Sequence, residues 1–306
     1  MRLLLCLLLL TPLCQAAPLR LTLQPSPQQM LFSYQFDLAG YPQQLSFSID
    51  NSILNSHFRQ FRALKPALLQ QYLWRDLRAH VAQYPGARLQ RLPGKDALHY
   101  KLLVADSHLL DKVDTELQQL ISERTAFYLQ QQYYYVQDLP WNARAIIPDH
   151  ARIMQDSLQD LLPVATAWHG KLANVPTRQA LLTLSAWIQQ IPYQDLSDRQ
   201  RSSGASFNPP LKLLQENRGD CDSKAVLLAA LLRMLLPDVK LAMVYLPQHA
   251  VLAVQLQVTP EDMTVNIEGR DYLLVDATGP ALLTPGQINP EYQIYTGSGQ
   301  FGYQLL

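Results

Sequence analysis

The chain is 306 residues long, enough for two domains of ordinary size. Hydrophobic residues make up 48% and charged residues 16%, so a sizeable buried core is expected. The formal net charge is zero and no long same-sign block occurs. That balance argues against a nucleic-acid binder, which needs a basic face, and against a charged interaction tail.

Met1-Arg2 followed by the apolar run Leu3 to Leu10, the break at Thr11-Pro12 and the small residue Ala16 read as a cleavable secretory signal over residues 1–16. The apolar run is too short to span a bilayer comfortably, and Cys14 lacks the small residues that precede a lipidated cysteine. The mature protein is therefore expected to be exported, periplasmic or secreted, with no integral membrane segment. Cys6 and Cys14 fall within the signal, which leaves Cys221 alone in the mature chain. An internal disulfide is then impossible, and the lone thiol is either a buried inert cysteine or a reactive nucleophile.

Alternating apolar residues from Leu19 to Asp50, broken by Pro25, Pro27, Gly40 and Pro42, predict a small antiparallel sheet. Helical periodicity over His57 to Tyr84 predicts a helix with a stripe from Phe58 to Leu77. Two strands, Ala87 to Leu92 and Ala97 to Val104, flank a turn at Pro93–Asp96. A helix from Leu109 to Gln132 follows, then the aromatic cluster Tyr133-Tyr134-Tyr135 and Trp141, expected to pack a seam. The pattern divides the chain into an α+β domain over residues 17–140, of unknown role, and a second domain over 141–306, with the boundary near Leu139 to Pro148.

The second half opens with expected helices from Pro148 to His169 and from Pro176 to Gln190, each with proline at its start. A polar loop, Gln194 to Asn208, carries Arg199 and Arg201 and is long enough for a functional segment. Pro209-Pro210 starts a short helix. The turn Asn217-Arg218-Gly219-Asp220 then delivers Cys221 to the start of the apolar run Ala225 to Leu236. Strands are expected at Lys240 to Leu246, His249 to Val258 and Tyr272 to Asp276, and the tail from Pro280 reads as irregular.

The positive end of a helix dipole draws a thiol at its first turn toward thiolate. Cys221 on a helix start, with His249 opening one strand and Asp276 closing another, is a candidate nucleophile–base–orienter set. Asp220 and Asp222 read as capping residues. Two motif matches fail. Gly297 to Gly302 fits a dinucleotide fingerprint, but no βαβ unit can follow it. Arg218-Gly219-Asp220, an adhesion tripeptide as a string, forms the nucleophile turn. Histidines 57, 80, 99, 108, 150 and 169 show no ligand spacing, so no metal site is expected.

Trp187-Ile188, Ile191-Pro192-Tyr193, Pro210 to Leu214, Gly219 to Lys224, His249 to Val254 and Leu274 to Thr278 together resemble the transglutaminase-like superfamily, as a bacterial exported member. The resemblance spans Ala180 to Thr278, and nothing before Pro140 takes part in it. It implies a papain-like α+β core, with a nucleophile helix packed on an antiparallel sheet. It implies that Cys221 attacks an amide carbonyl, His249 shuttles protons and Asp276 holds the imidazole, with no cofactor. Tyr193 aligns with an aromatic position near the oxyanion, where the Cys221 backbone N–H is the other donor. Many members carry an aromatic after the cysteine; this chain has Asp222, a carboxylate that raises a neighbouring thiol's pKa. The expected function is an exported thiol enzyme acting on a protein or peptide substrate, by hydrolysis or by acyl transfer. The alternative is a silent binding or scaffolding module of the same fold.

Overall fold

The computed structural model describes residues 19–94, 98–197 and 206–306. The expected signal at 1–16, with Cys6 and Cys14, and the loop residues Arg199 and Arg201 lie outside the described residues. Strands β1 (Arg20–Pro25), β2 (Gln29–Leu38) and β3 (Tyr41–Asp50) form the expected antiparallel sheet, in the order β1-β2-β3. Side chains alternate across a strand, so Phe32, Tyr34 and Phe36 of β2 share an inward face with Leu45, Phe47 and Ile49 of β3. Phe32 and Phe47 are register partners and stack at 5.1 Å.

The helix expected over His57 to Tyr84 is shorter than its periodicity. A one-turn helix, α1 (Asn51–Ser56), ends at His57, and Phe58 has φ 45°, which breaks the helical path. Regular helix resumes only as α2 (Pro66–Val81), where the missing N–H of proline costs nothing at the first position. Phe61 still reaches the core, from a loop and not from a helix face. Hairpin β4 (Arg88–Leu92) and β5 (His99–Leu103) and helix α3 (Leu110–Gln130) follow the sequence reading closely. These elements share a small core around Leu77, Val81, Val113 and Leu117. The predicted boundary falls on hairpin β6 (Tyr134–Leu139) and β7 (Asn142–Pro148).

The helix expected from Pro148 to His169 is two helices, α4 (His150–Ser157) and α5 (Leu162–Leu172), separated where Pro163 starts the second. Helices α6 (Thr177–Gln189), α7 (Pro210–Glu216) and α8 (Cys221–Leu235) stand where their punctuation places them. Strands β8 (Leu241–Leu246), β9 (His249–Val254), β10 (Thr264–Ile267), β11 (Arg270–Val275) and β12 (Gly302–Leu305) make an all-antiparallel sheet ordered β10-β11-β9-β8-β12. The tail read as irregular therefore supplies an edge strand, paired with β8, and a short helix, α9 (Gln293–Gly297). Helices make up 40% and strands 27% of the structure, segregated as in an α+β protein.

Both faces of the five-stranded sheet are covered, which explains why β8 reads as a continuous apolar run rather than an alternating one. Met243, Tyr245, Leu252 and Leu273 face the core that contains α8. Val244, Val251, Tyr272 and Leu274 face Ile288 and the tail's Tyr292, Tyr295 and Phe301. Helix α8 is apolar on every side, with Ala225 to Leu232 all buried, as a helix must be when packed between a sheet and other helices. One continuous cluster of buried side chains joins α8 to Phe32, Tyr34 and Phe47 of the first sheet. Among the described residues no helix is long and apolar enough to cross a membrane.

Candidate active site

The turn before Cys221 is built by its own residues and by a neighbouring segment. Asn217 ends α7 in the left-handed region, φ 50°, which asparagine tolerates better than most residues. At Gly219 a Cβ would lie 2.7 Å from Leu213 Cδ1, so a side chain here would have to displace the buried Leu213 side chain. The Gly219 N–H donates to the Pro192 carbonyl at 3.2 Å, and the Gln194 N–H donates to the Gly219 carbonyl at 3.1 Å. These bonds form a short parallel bridge between Tyr193 and Gly219. They hold Tyr193, 53% exposed, beside the turn that precedes Cys221. Asp220 is the N-cap, its carboxyl accepting the Ser223 N–H at 3.4 Å and the Ser223 hydroxyl.

His249 opens β9 directly after the tight Pro247-Gln248 connection to β8. Its Nε2 donates to Asp276 Oδ2 at 3.0 Å, while Asp276 Oδ1 accepts the Thr278 N–H at 2.9 Å. An ionised carboxylate only accepts, so the imidazole proton sits on Nε2 and leaves Nδ1 as the basic nitrogen. Burial alone pushes the Asp276 carboxyl up; the bond and charge of His249 and the Thr278 N–H outweigh it, and the group rests below the usual carboxylate value. The ring of Tyr292 stacks on the imidazole, centroids 4.5 Å apart and planes 15° apart. That ring covers one face of the His249–Asp276 pair.

Backbone contacts lock this pair to α6. Gln189 Nε2 donates to the Asp276 carbonyl at 2.6 Å and to the Leu283 carbonyl at 2.9 Å. Gly279, at φ 68°, passes so close to α6 that a Cβ would fall 2.0 Å from the Gln189 carbonyl oxygen.

Cys221 is half-buried. Burial pushes its thiol well above the ordinary value, and the charges of Asp222 and Asp220 push it further; the backbone N–H groups of Ala250 and Asp222 act against them. Ala250 follows His249 in the chain, so the thiol lies against the strand that carries the imidazole. Thiol and imidazole share no direct hydrogen bond among the described residues, a looseness that unliganded sites often show before substrate arrives. Burial, then the neighbouring Cys221 and Asp220, raise the Tyr193 phenol. Of the four residues expected from the sequence, His249 and Asp276 are hydrogen-bonded, and Cys221 lies against the backbone of Ala250, next to His249, and close enough to Tyr193 to raise its phenol.

Three further residues join the site. His150, 1% exposed, bonds through Nε2 to Asp222 Oδ2 at 3.0 Å and through Nδ1 to the Tyr245 hydroxyl at 2.8 Å. Burial lowers its pKa to about 4 and raises that of Asp222 to about 6. Lys224, fully buried, donates to two backbone carbonyls. Tyr292 is the third. The first two had a signal in sequence: a histidine just after Pro148-Asp149, and a lysine in the first turn of an otherwise apolar helix. Tyr292 had none.

No cluster of three or more His, Cys, Asp or Glu side chains fit to hold a metal occurs among the described residues. Comparison with family models, curated proteins and solved structures finds no match to this chain. The functional reading therefore rests on the geometry of the site.

Proposed function

We propose that the chain is an exported thiol enzyme that acts on amide bonds of a peptide or protein substrate, with Cys221, His249 and Asp276 as its triad and a papain-like, transglutaminase-like core. The observation that carries this reading is the partly buried His249–Asp276 hydrogen bond at 3.0 Å, which orients a basic Nδ1 on the strand against which the Cys221 thiol lies. A satisfied structural histidine needs no thiol at a helix start beside it. The raised thiol pKa favours a nucleophile that is neutral at rest and loses its proton to His249 as sulfur attacks.

In that sequence Cys221 Sγ bonds to the carbonyl carbon while its proton moves to His249 Nδ1. The oxyanion is met by the Cys221 N–H, unpaired at the first turn of α8, and by the Tyr193 hydroxyl. His249 then gives its proton to the leaving amine nitrogen, and a thioester remains. Water or a second amine, deprotonated by His249, displaces the acyl group and restores the thiol. Hydrolysis is the favoured outcome, because transfer requires a site that excludes water.

The test is incubation of the mature chain with a peptide mixture and a biotinylated primary amine, read by mass spectrometry. New peptide termini report hydrolysis and biotinylated peptides report transfer. Both are expected to vanish in Cys221→Ala and in His249→Ala; products that persist in Cys221→Ala overturn the reading. In parallel, iodoacetamide labelling of Cys221 is expected to slow at least about tenfold in His249→Ala through loss of the base.

The second reading, a silent binding module, has one observation in its favour. Asp220 and Asp222 flank the thiol and hold its pKa up. Identical labelling rates in the wild type and His249→Ala, with no products in either, would select it.

A further inference from the structure

Lys224 is the one charged side chain in the buried stretch Ser223 to Leu232 of α8, and it is fully buried. Its Nζ donates to the carbonyls of Ile191 and Thr278. Ile191 lies just past the end of α6, two residues before Tyr193. Thr278 lies two residues after Asp276, in the turn whose N–H binds the Asp276 carboxylate. One ammonium group on the nucleophile helix therefore grips both backbone segments that carry the nucleophile's partners.

We propose that Lys224 is a positioning residue of the site: its ammonium ties the Tyr193 and Asp276 segments to the helix that carries Cys221 and supplies the positive charge beside them. The proposal rests on the triad reading above and adds a residue to it.

Two independent features support the role. A buried ammonium is costly unless it is paired, so a purely structural position in this apolar helix would hold leucine or methionine at no such cost. The groups that face Lys224 electrostatically are Asp276, Asp220 and Cys221, and each of them draws its pKa upward against the larger effect of burial, which leaves it at about 8. The acids are the orienter and the N-cap of the nucleophile. Lys224 thus faces both the thiol and Asp220, one of the two carboxylates that hold the thiol in its neutral form.

The experiment measures iodoacetamide labelling of Cys221 against pH in the full mature chain, together with thermal unfolding, for the wild type, Lys224→Met and His249→Ala. Lys224→Met removes both hydrogen bonds and the charge. An opposite charge at this range moves a pKa by about 1 unit or more, so labelling at a given pH below the thiol's titration is expected to fall about tenfold. A structural role alone would lower the melting temperature and leave the labelling profile in place; that result overturns the proposal. Should Lys224→Met fail to fold, Lys224→Gln, which keeps a donor but not the charge, carries the same measurement, with the same drop expected and an unchanged profile overturning the idea. The two readings separate cleanly. A wild-type profile shared by His249→Ala removes the triad, whereas a wild-type profile shared by the Lys224 variants, with His249→Ala still slow, removes only Lys224's role.

Discussion

His150 and Asp222 titrate in opposite senses inside one buried contact, and each masks the other. Burial lifts the Asp222 carboxyl from 3.8 to about 6. A group raised on folding contributes stability that is present below its unfolded pKa and lost as pH rises through the folded one, here from about pH 4 to 6. Burial depresses His150 from 6.5 to about 4. Its contribution is present above the unfolded pKa of 6.5 and lost as pH falls through about 4. At about 1.4 kcal/mol per pH unit, each slope amounts to roughly 3 kcal/mol over nearly the same window, with opposite sign, so the native pair leaves little net pH dependence. Asp222→Asn removes the falling slope and leaves that of His150. Relief of Asp220, which is raised by burial and then by the Asp222 charge, acts in the same direction. Its unfolding free energy is therefore expected to rise by about 3 kcal/mol relative to the wild type between pH 4 and 6.5. His150→Gln keeps a donor toward Asp222 and is expected to show the reverse, a relative fall of about 3 kcal/mol between pH 4 and 6. Urea unfolding at half-unit pH steps measures both. Profiles of the two variants that run parallel to each other and to the wild type would refute the coupling.

Gly279→Ala forces a Cβ into the Gln189 carbonyl, 2.0 Å away, at a left-handed backbone position. A stability loss of at least about 2 kcal/mol is expected in urea unfolding, together with slower Cys221 labelling as the Asp276 turn is pushed off α6. Tyr292→Ala removes the ring stacked on His249. It is expected to cost only about 1 kcal/mol in unfolding while slowing iodoacetamide labelling several-fold, because water gains access to the His249–Asp276 bond. Tyr34→Phe leaves the Leu214 carbonyl, now accepting the Tyr34 hydroxyl at 2.9 Å, buried without its partner; a loss of about 1–2 kcal/mol is expected in the same unfolding assay.

The elements that sequence located well are those with local punctuation. Proline at the first turn marks α6 and α7, and alternation marks β2 and β3, because both signals act within a few residues. The helical spacing over His57 to Tyr84 overruns the true helix because Phe58, Phe61 and Leu64 keep that spacing while lying outside any helix; Phe61 stacks on Tyr134 at 5.4 Å, a partner 73 positions away that no local pattern reveals. Strand β12 carries no such pattern: Tyr303 and Leu305 stay exposed, and only its backbone pairing with β8 makes the segment a strand. At the site, Cys221, His249 and Asp276 were legible because each sits at the end of a periodic element. His150 and Lys224 take their places from partners far along the chain, which no local pattern shows: Tyr245 for one, Ile191 and Thr278 for the other.

The first sheet bears on the site more directly than its distance in sequence implies. Tyr34 bonds to the Leu214 carbonyl in α7, and its ring meets Trp187 of α6 edge-on at 5.3 Å. The Asp37 N–H donates to Gln190 Oε1 at 3.1 Å, and Gln190 Nε2 returns a bond to the Asp37 carbonyl at 2.7 Å. Helices α6 and α7 are the two elements whose ends meet in the Tyr193–Gly219 bridge before Cys221. Phe32, Tyr34, Phe36, Leu45, Phe47 and Ile49 are each at most 5% exposed. At about 1.5–3 kcal/mol for each fully buried side chain, their burial gives roughly 10 kcal/mol or more, comparable to the entire stability of an ordinary domain. The sheet is thus part of the same core as the turn that precedes Cys221, and strand β2 braces the two helices, α6 and α7, that lead into that turn.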